Sequence, residues 1–292
     1  MDGMLLLDKP CGVSSNHALQ SAKRLLNAQK AGHTGSLDPI ATGLLPLCFG
    51  RATKVSGMFL ESNKTYVVDI QLGVSTNTGD REGSIIAEAN EIPLFEKIEK
   101  SLEPFIGEIS QIPPMYSALK RNGQPLYKLA RQGIEVERTP RQVTIFKLTV
   151  LSFSDDILRL EVVCSKGFYI RSLAMDIGES LGVGAHVKEL RRTAVAGFTV
   201  AESVTLEQLE SLESPETRQN LLTPVDRALY HLPKTDLPEN CVRFFCHGQT
   251  VRTVAPFTPG LNRLYAANER FLGLGEITDD GRVVPKRLFA EP

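Results

Sequence analysis

Cysteine is scarce in this chain. Five occur in 292 residues (Cys11, Cys48, Cys164, Cys241 and Cys246), and no regular spacing joins them. That number is odd and too small for a disulfide scaffold, and it fits a reducing cytosol. The apolar run at the start, Met4 to Leu7, is short, follows no basic segment and ends at Asp8 and Lys9. A secretory signal is therefore not expected. No stretch approaches the ~20 apolar residues of a membrane span, so the expected address is the cytoplasm, without membrane contact. Neither sign of charge is in excess: Lys+Arg total 33 and Asp+Glu 34, a formal net charge of -1. Taken alone, that balance argues against a dedicated nucleic-acid binder. The phosphate-cradling motifs GxxxxGK[ST] and GxGxxG are missing, as are GxSxG and HExxH. Cys241, Cys246 and His247 lack a fourth nearby ligand for a tetrahedral zinc site, and no metal is expected.

What is present is ordinary globular material, with 42% hydrophobic and 23% charged residues. The length suggests about two domains of roughly 150 residues. Residues 13–29 read as a helix capped by Ser14 or Ser15, with Ala18, Ala22, Leu25 and Leu26 on one stripe. Residues 32–50 read as a loop-rich stretch with four glycines and two prolines. In residues 64–74, Tyr66, Val68, Ile70 and Leu72 alternate as one face of a strand. Phe95, Ile98, Leu102 and Phe105 have helical spacing. Residues 143–153 and 157–164 read as two strands around an Asp155-Asp156 turn. Ile170, Leu173, Ala174, Ile177 and Leu181 form another helical stripe. Strands and helices do not alternate regularly, which predicts an α+β fold with a mixed or antiparallel central sheet and flanking helices. Residues 241–288 read as short strands between Gly and Pro turns, a small β-barrel-like domain.

The glycine-framed stretch from Gly32 to Pro46 is the most unusual. A carboxylate held there, Asp38, can serve as nucleophile or general base, or can simply close an Asx turn. An arginine fork keeps such a carboxylate ionised in a closed pocket, and Arg171, opening a helix, is a candidate. Residues 120–147 carry seven Lys/Arg and two acidic residues, with Tyr116 and Tyr127 close by. Such a segment can track phosphates while rings stack on bases. Residues 202–239 carry eight acidic and three basic residues. The net charge thus sums two segments of opposite sign, and the local distribution permits an RNA-binding face.

Four blocks in order resemble the TruB family of tRNA pseudouridine synthases. They are Leu7-Asp8-Lys9-Pro10-x-Gly12-x-Ser14-Ser15; Gly32-His33-Thr34-Gly35-Ser36-Leu37-Asp38-Pro39; Pro113-Pro114-x-Tyr116-Ser117-Ala118-x-Lys120 with Tyr127, Ala130 and Arg131; and Ser165-Lys166-Gly167-x-Tyr169-Ile170-Arg171 with Leu190-Arg191-Arg192-Thr193. The resemblance spans about residues 1–200. It implies the pseudouridine synthase fold and isomerisation of uridine at position 55 in the TΨC loop of tRNA. The reaction would proceed by base flipping and an aspartate-dependent rearrangement of the glycosidic bond.

By position, the resemblance makes Asp38 the catalytic aspartate and Arg171 its partner. Tyr66 becomes the ring that stacks on the uracil and helps to move a proton. Tyr169 and Leu190 would line the uridine pocket, His33 would assist base extrusion, and Lys9 and Pro10 would stand beside the site. Phe168 departs from the small hydroxyl residue expected there. No cofactor is implied. Residues 1–235 would form the catalytic domain, with a thumb insertion at about 113–141 that clamps the T-arm. Residues 240–292 would form a PUA-type domain on the acceptor stem. The thumb favours the stand-alone bacterial type, a monomer without an obligate protein partner, over RNA-guided relatives. A tRNA-folding chaperone acting independently of catalysis is the alternative.

Overall fold

A computed structural model describes residues 1–253 and 256–290. The chain opens with strand β1 (Gly3–Lys9), helix α1 (Ser15–Leu25) and strands β2 (Ala31–His33) and β3 (Thr42–Phe49). Helix α2 (Ser56–Leu60) leads to β4 (Lys64–Leu72) and a small hairpin of β5 (Val74–Thr76) and β6 (Ile85–Glu88). Helix α3 (Phe95–Leu102) precedes β7 (Gly107–Gln111). Between β7 and β10 lie a short hairpin, β8 (Lys120–Arg121) with β9 (Gln124–Pro125), and helix α4 (Leu126–Arg131). Then come β10 (Arg141–Ser154), β11 (Ile157–Cys164), α5 (Ile170–Leu181), β12 (Ala185–Val195) and β13 (Phe198–Thr199). Helices α6 (Leu206–Ser211), α7 (Pro215–Gln219) and α8 (Val225–Ala228) lead to β14 (Lys234–Asp236), α9 (Glu239–Cys246) and β15 (Val251–Arg252). Strands β16 (Gly260–Tyr265), β17 (Phe271–Ile277) and β18 (Arg282–Leu288) close the order.

The larger sheet has nine strands in the order β1-β3-β12-β4-β11-β10-β7, with β2 on β3 and β13 on β12. Its neighbours run antiparallel except β3 and β12, which are parallel, so the sheet is mixed. Strand β4 alternates as expected, with Tyr66, Val68, Ile70 and Leu72 buried. Asp155 and Asp156 both take positive φ (51° and 61°), as a two-residue hairpin turn of right-handed twist requires. Ser14 caps α1 by accepting from His17 N at 3.1 Å.

Two local expectations are overturned. Thr42–Phe49, read as loop, is strand β3 of the larger sheet. It lies between β1 and β12, and Leu44, Leu45, Leu47, Cys48 and Phe49 are all fully buried. A strand covered on both faces has an unbroken apolar run in place of alternation, and Pro46 masked it further. The second error is at residues 241–246, read as strand but folded as α9. Val242, Phe245 and Cys246 have the i, i+3, i+4 spacing of a helix stripe and pack with Leu264, Ile277 and Val283.

The main core fills the space between the larger sheet and helices α1, α3 and α5. Each leucine buried there contributes about 1.5–3 kcal/mol. The second sheet has the order β14-β16-β17-β18-β15. Leu274 and Phe289 from its side share one apolar cluster with Met4, Leu44 and Phe198 from the larger sheet and Phe59 from α2. Lys54 Nζ adds a bond to Leu288 O at 2.7 Å. The larger sheet therefore presents two features side by side: the loop between β2 and β3, and the first turn of α5.

Candidate active site

Asp38 lies on the loop between β2 and β3, and the backbone on both sides of it is fixed. Ser15 Oγ accepts from Leu37 N (2.7 Å) and donates to Leu37 O (3.0 Å), and Ser15 is buried. On the other side, Pro39 O accepts from Gly12 N at 2.8 Å and from Lys9 Nζ at 3.3 Å. The Asp38 side chain is left to point across the site, where its Oδ2 meets Arg171 Nε at 2.9 Å.

Arg171 stands in the first turn of α5. Helix α5 starts there because Gln111 holds Tyr169 twice: Tyr169 N donates to Gln111 Oε1 (2.8 Å), and Gln111 Nε2 donates to Tyr169 O (3.0 Å). The remaining donors of Arg171 are also used. Nη1 donates to Thr78 O (3.1 Å) and faces Asp80 Oδ2 (3.6 Å), and Nη2 donates to Tyr116 O (2.6 Å). Asp80 is buried, and Thr78 Oγ1 (2.6 Å) and Glu82 N (3.1 Å) both donate to its Oδ1. Its loop is latched to β12 through Arg81 N→Val187 O and Val187 N→Gly79 O, both 3.0 Å. Burial pushes the Asp38 carboxyl above the usual aspartate range; Arg171 pulls it down, and the Asp80 charge pushes it up again.

A cavity of about 320 Å³ opens in front of this pair. Asp38, Tyr66, Tyr169, Arg171 and Leu190 all line it, with Phe168, Ser117, Lys64 and Arg192. Tyr66 is 9% exposed, so most of its side chain is packed into the fold while it still lines the cavity. Burial raises its phenol pKa, while the charge of Arg192 acts in the opposite direction. Burial likewise raises the Tyr169 phenol. The site thus pairs an ionisable carboxylate with a buried cation, beside an aromatic wall.

The TruB family pseudouridylate synthase N-terminal domain profile matches residues 23–170. The tRNA pseudouridylate synthase B C-terminal domain matches residues 171–230, and the pseudouridine synthase II TruB C-terminal domain matches residues 233–289. The chain belongs to the TruB family of pseudouridylate synthases. It is an isomerase. It is 52% identical to tRNA pseudouridine synthase B of Stutzerimonas stutzeri (strain A1501), over 99% of this chain and 96% of that protein. It is 50% identical to the protein of that name from Pseudomonas aeruginosa (strain UCBPP-PA14), with the same coverage. Among solved structures, a chain in a crystal structure of a Cbf5-Nop10-Gar1 complex superposes with a TM-score of 0.75 at 28% identity. That match covers 99% of this chain and 85% of the other.

Three residues that the TruB resemblance brings to the site do not line the cavity. Lys9 is wholly buried behind the Asp38 loop, where Nζ donates to Pro10 O (2.8 Å), Val13 O (2.6 Å) and Pro39 O (3.3 Å). Burial pulls its ammonium down to about 8. Pro10 enters only through that carbonyl. His33 ends β2 and is half-buried; burial and the charge of Arg192 both hold its pKa below the ordinary value. Phe168 packs into the main core and also walls the cavity.

Asp80, Arg192 and Lys64 lie at this site in addition to the residues that the TruB resemblance assigns to it. Asp80 sits in an acidic, glycine-containing turn that resembles any surface turn. A signal for Arg192 did exist, because in a strand it shares the face of Leu190 two residues earlier. Lys64 had the same signal relative to Tyr66. Its Nζ donates to Leu60 O at 2.7 Å and to Ser62 O, and burial pulls it down to about 8. Among the described residues, no group of three His, Cys, Asp or Glu is placed to hold a metal ion. No helix among them is long and apolar enough to cross a membrane.

Proposed function

We propose that this chain converts uridine 55 in the TΨC loop of tRNA to pseudouridine, with Asp38 as the reacting carboxylate. The observation that carries this reading is the Asp38–Arg171 pair: the arginine is hidden and the carboxylate opens to a cavity walled by Tyr66, Tyr169 and Leu190. A base stacked inside a folded loop is out of reach, so it must be flipped, at a cost of a few kcal/mol. Stacking against Tyr66 returns ~1–3 kcal/mol of that. Within the cavity the N1–C1′ bond breaks, the uracil turns, and a C5–C1′ bond forms. The C5 proton leaves and N1 gains one, so nothing departs and no electrons are exchanged. Arg171 keeps Asp38 in the ionised form that reacts. Tyr66 assists the proton movement.

The basic segment between β7 and β10 supplies the grip on the T-arm, and the second sheet the contact with the acceptor stem. A cytoplasmic monomer, needing neither guide RNA nor protein partner, belongs to the same reading. The experiment is pseudouridine mapping in unmodified tRNA incubated with the purified chain. Modification at position 55 alone is expected from the wild type, on whole tRNA and on an isolated T-arm hairpin. Asp38→Asn is expected to bind tRNA and make no pseudouridine. Normal turnover by Asp38→Asn would overturn the assignment. Complementation of a deletion strain by that variant would support the chaperone role instead.

A further inference from the structure

Arg192 is the largest side chain that the described fold buries completely, at 1% exposure. A buried guanidinium is costly unless its donors are paired, and a strand in a sheet core has no need of one. Its partners are specific. Nε donates to Leu44 O at 2.7 Å, and Nη2 donates to Gly35 O at 3.2 Å. Gly35 and Leu44 lie on opposite sides of Asp38 in the sequence. The backbone of Arg192 acts at the same place. Arg192 pairs with Gly43 of β3 on one side and with Tyr66 of β4 on the other. At Gly43 a Cβ would come within 2.2 Å of Arg192 O. Arg192 also lines the cavity together with Tyr66, its cross-strand neighbour on β4. Asp38 itself is paired by Arg171.

We infer that Arg192 is a positioning residue of this active site: it staples both ends of the Asp38 loop to strand β12 and orients the Tyr66 phenol in the cavity. The inference rests on the roles of Asp38 and Tyr66 proposed above. It explains why the fold hides an arginine there. The planar fork donates to carbonyls on both sides of the loop from fixed directions, a geometry that the rotatable ammonium of a lysine does not reproduce. Arg192 touches no reacting atom in this arrangement and acts through the groups that do.

The test uses the full chain and unmodified tRNA, with single-turnover rate and tRNA Kd measured separately. Arg192→Met is expected to slow the single turnover by roughly 10- to 100-fold, as a small misplacement of reacting groups does, with Kd changed less than about threefold. Arg192→Lys should recover part of the rate. In a double-mutant cycle with Tyr66→Phe, the two losses should combine to clearly less than their product. A merely structural role would give independent losses. A wild-type rate for Arg192→Met, a loss confined to tRNA affinity, or full independence from Tyr66→Phe would overturn the inference. If Arg192→Met does not fold, Arg192→Lys decides by the same criteria, and a wild-type rate there overturns it. Asp38→Asn is the control. Turnover by that variant means the underlying site reading has failed; its inactivity beside a normal Arg192→Met means that only the role of Arg192 has.

Discussion

Arg171 and Asp38 meet at 2.9 Å with opposite access to solvent: the arginine side chain is 4% exposed and the aspartate 39%. The cation is hidden and fully coordinated, while the anion faces the cavity. That asymmetry leaves the carboxylate open to the cavity, because the arginine is held by Thr78, Tyr116 and Asp80 as well.

Removing the arginine should therefore harm both chemistry and folding. Arg171→Met leaves Asp80 buried without its cation and Asp38 without a counter-charge. Turnover should fall by at least about 100-fold, and unfolding free energy by about 3–5 kcal/mol, the usual result of breaking one side of a buried pair. Arg171→Lys keeps the charge and loses the fork, so its losses should be intermediate. Single-turnover kinetics and urea denaturation measure the two effects.

The acid limb of the rate profile follows from the two carboxylates. In the proposed reaction Asp38 acts in its ionised form, and burial raises its pKa above 3.8, with the Asp80 charge pushing the same way. Activity should disappear as the pH falls through that raised value, at a higher pH than for a free aspartate. Asp80→Asn removes the repelling charge, so its acid limb should lie at lower pH than that of the wild type. Single-turnover rates across pH would show this, and an unmoved limb would count against the coupling.

Gly43 should tolerate no side chain. It has φ +98°, and an added Cβ would lie 2.2 Å from Arg192 O. Gly43→Ala should cost more than about 2 kcal/mol, from backbone strain and the forced separation of β3 from β12. Gly12 also has positive φ (+77°) but open space around its Cβ position. Gly12→Ala should cost only about 1–2 kcal/mol. Denaturant midpoints of the two variants would separate strain from collision.

Lys128, Arg131 and Arg141 are exposed on and after α4. Changing all three to Gln should weaken tRNA binding and reduce the slope of log Kd against log salt by about two, given roughly 0.7–0.9 per phosphate contact. An unchanged slope would show that this segment does not touch the backbone.

Much of this architecture was legible in local pattern. The alternation of Tyr66, Val68, Ile70 and Leu72 marked β4 and its buried face, and the stripe from Ile170 to Leu181 marked α5. Where burial is two-sided, alternation vanishes, which is why β3 read as loop. At α9, the Gly and Pro turns that follow resemble those between short strands, and the apolar spacing of Val242, Phe245 and Cys246 spans only about one helical turn. Asp38 and Arg171 stood out through their surrounding motifs, which the family resemblance made specific.

Sequence by itself determined the amphipathic helices, the alternating strands and the residue types able to do this chemistry, because those signals repeat over a few neighbouring positions. Tertiary structure decided their partnership. Asp80 became the second carboxylate on Arg171 because its loop is latched to β12 at Val187. Lys9 became a support behind the Asp38 loop, and Arg192 its staple, because β1 and β12 flank β3. Such contacts join residues far apart in the chain, and only the completed sheet brings their side chains within bonding distance.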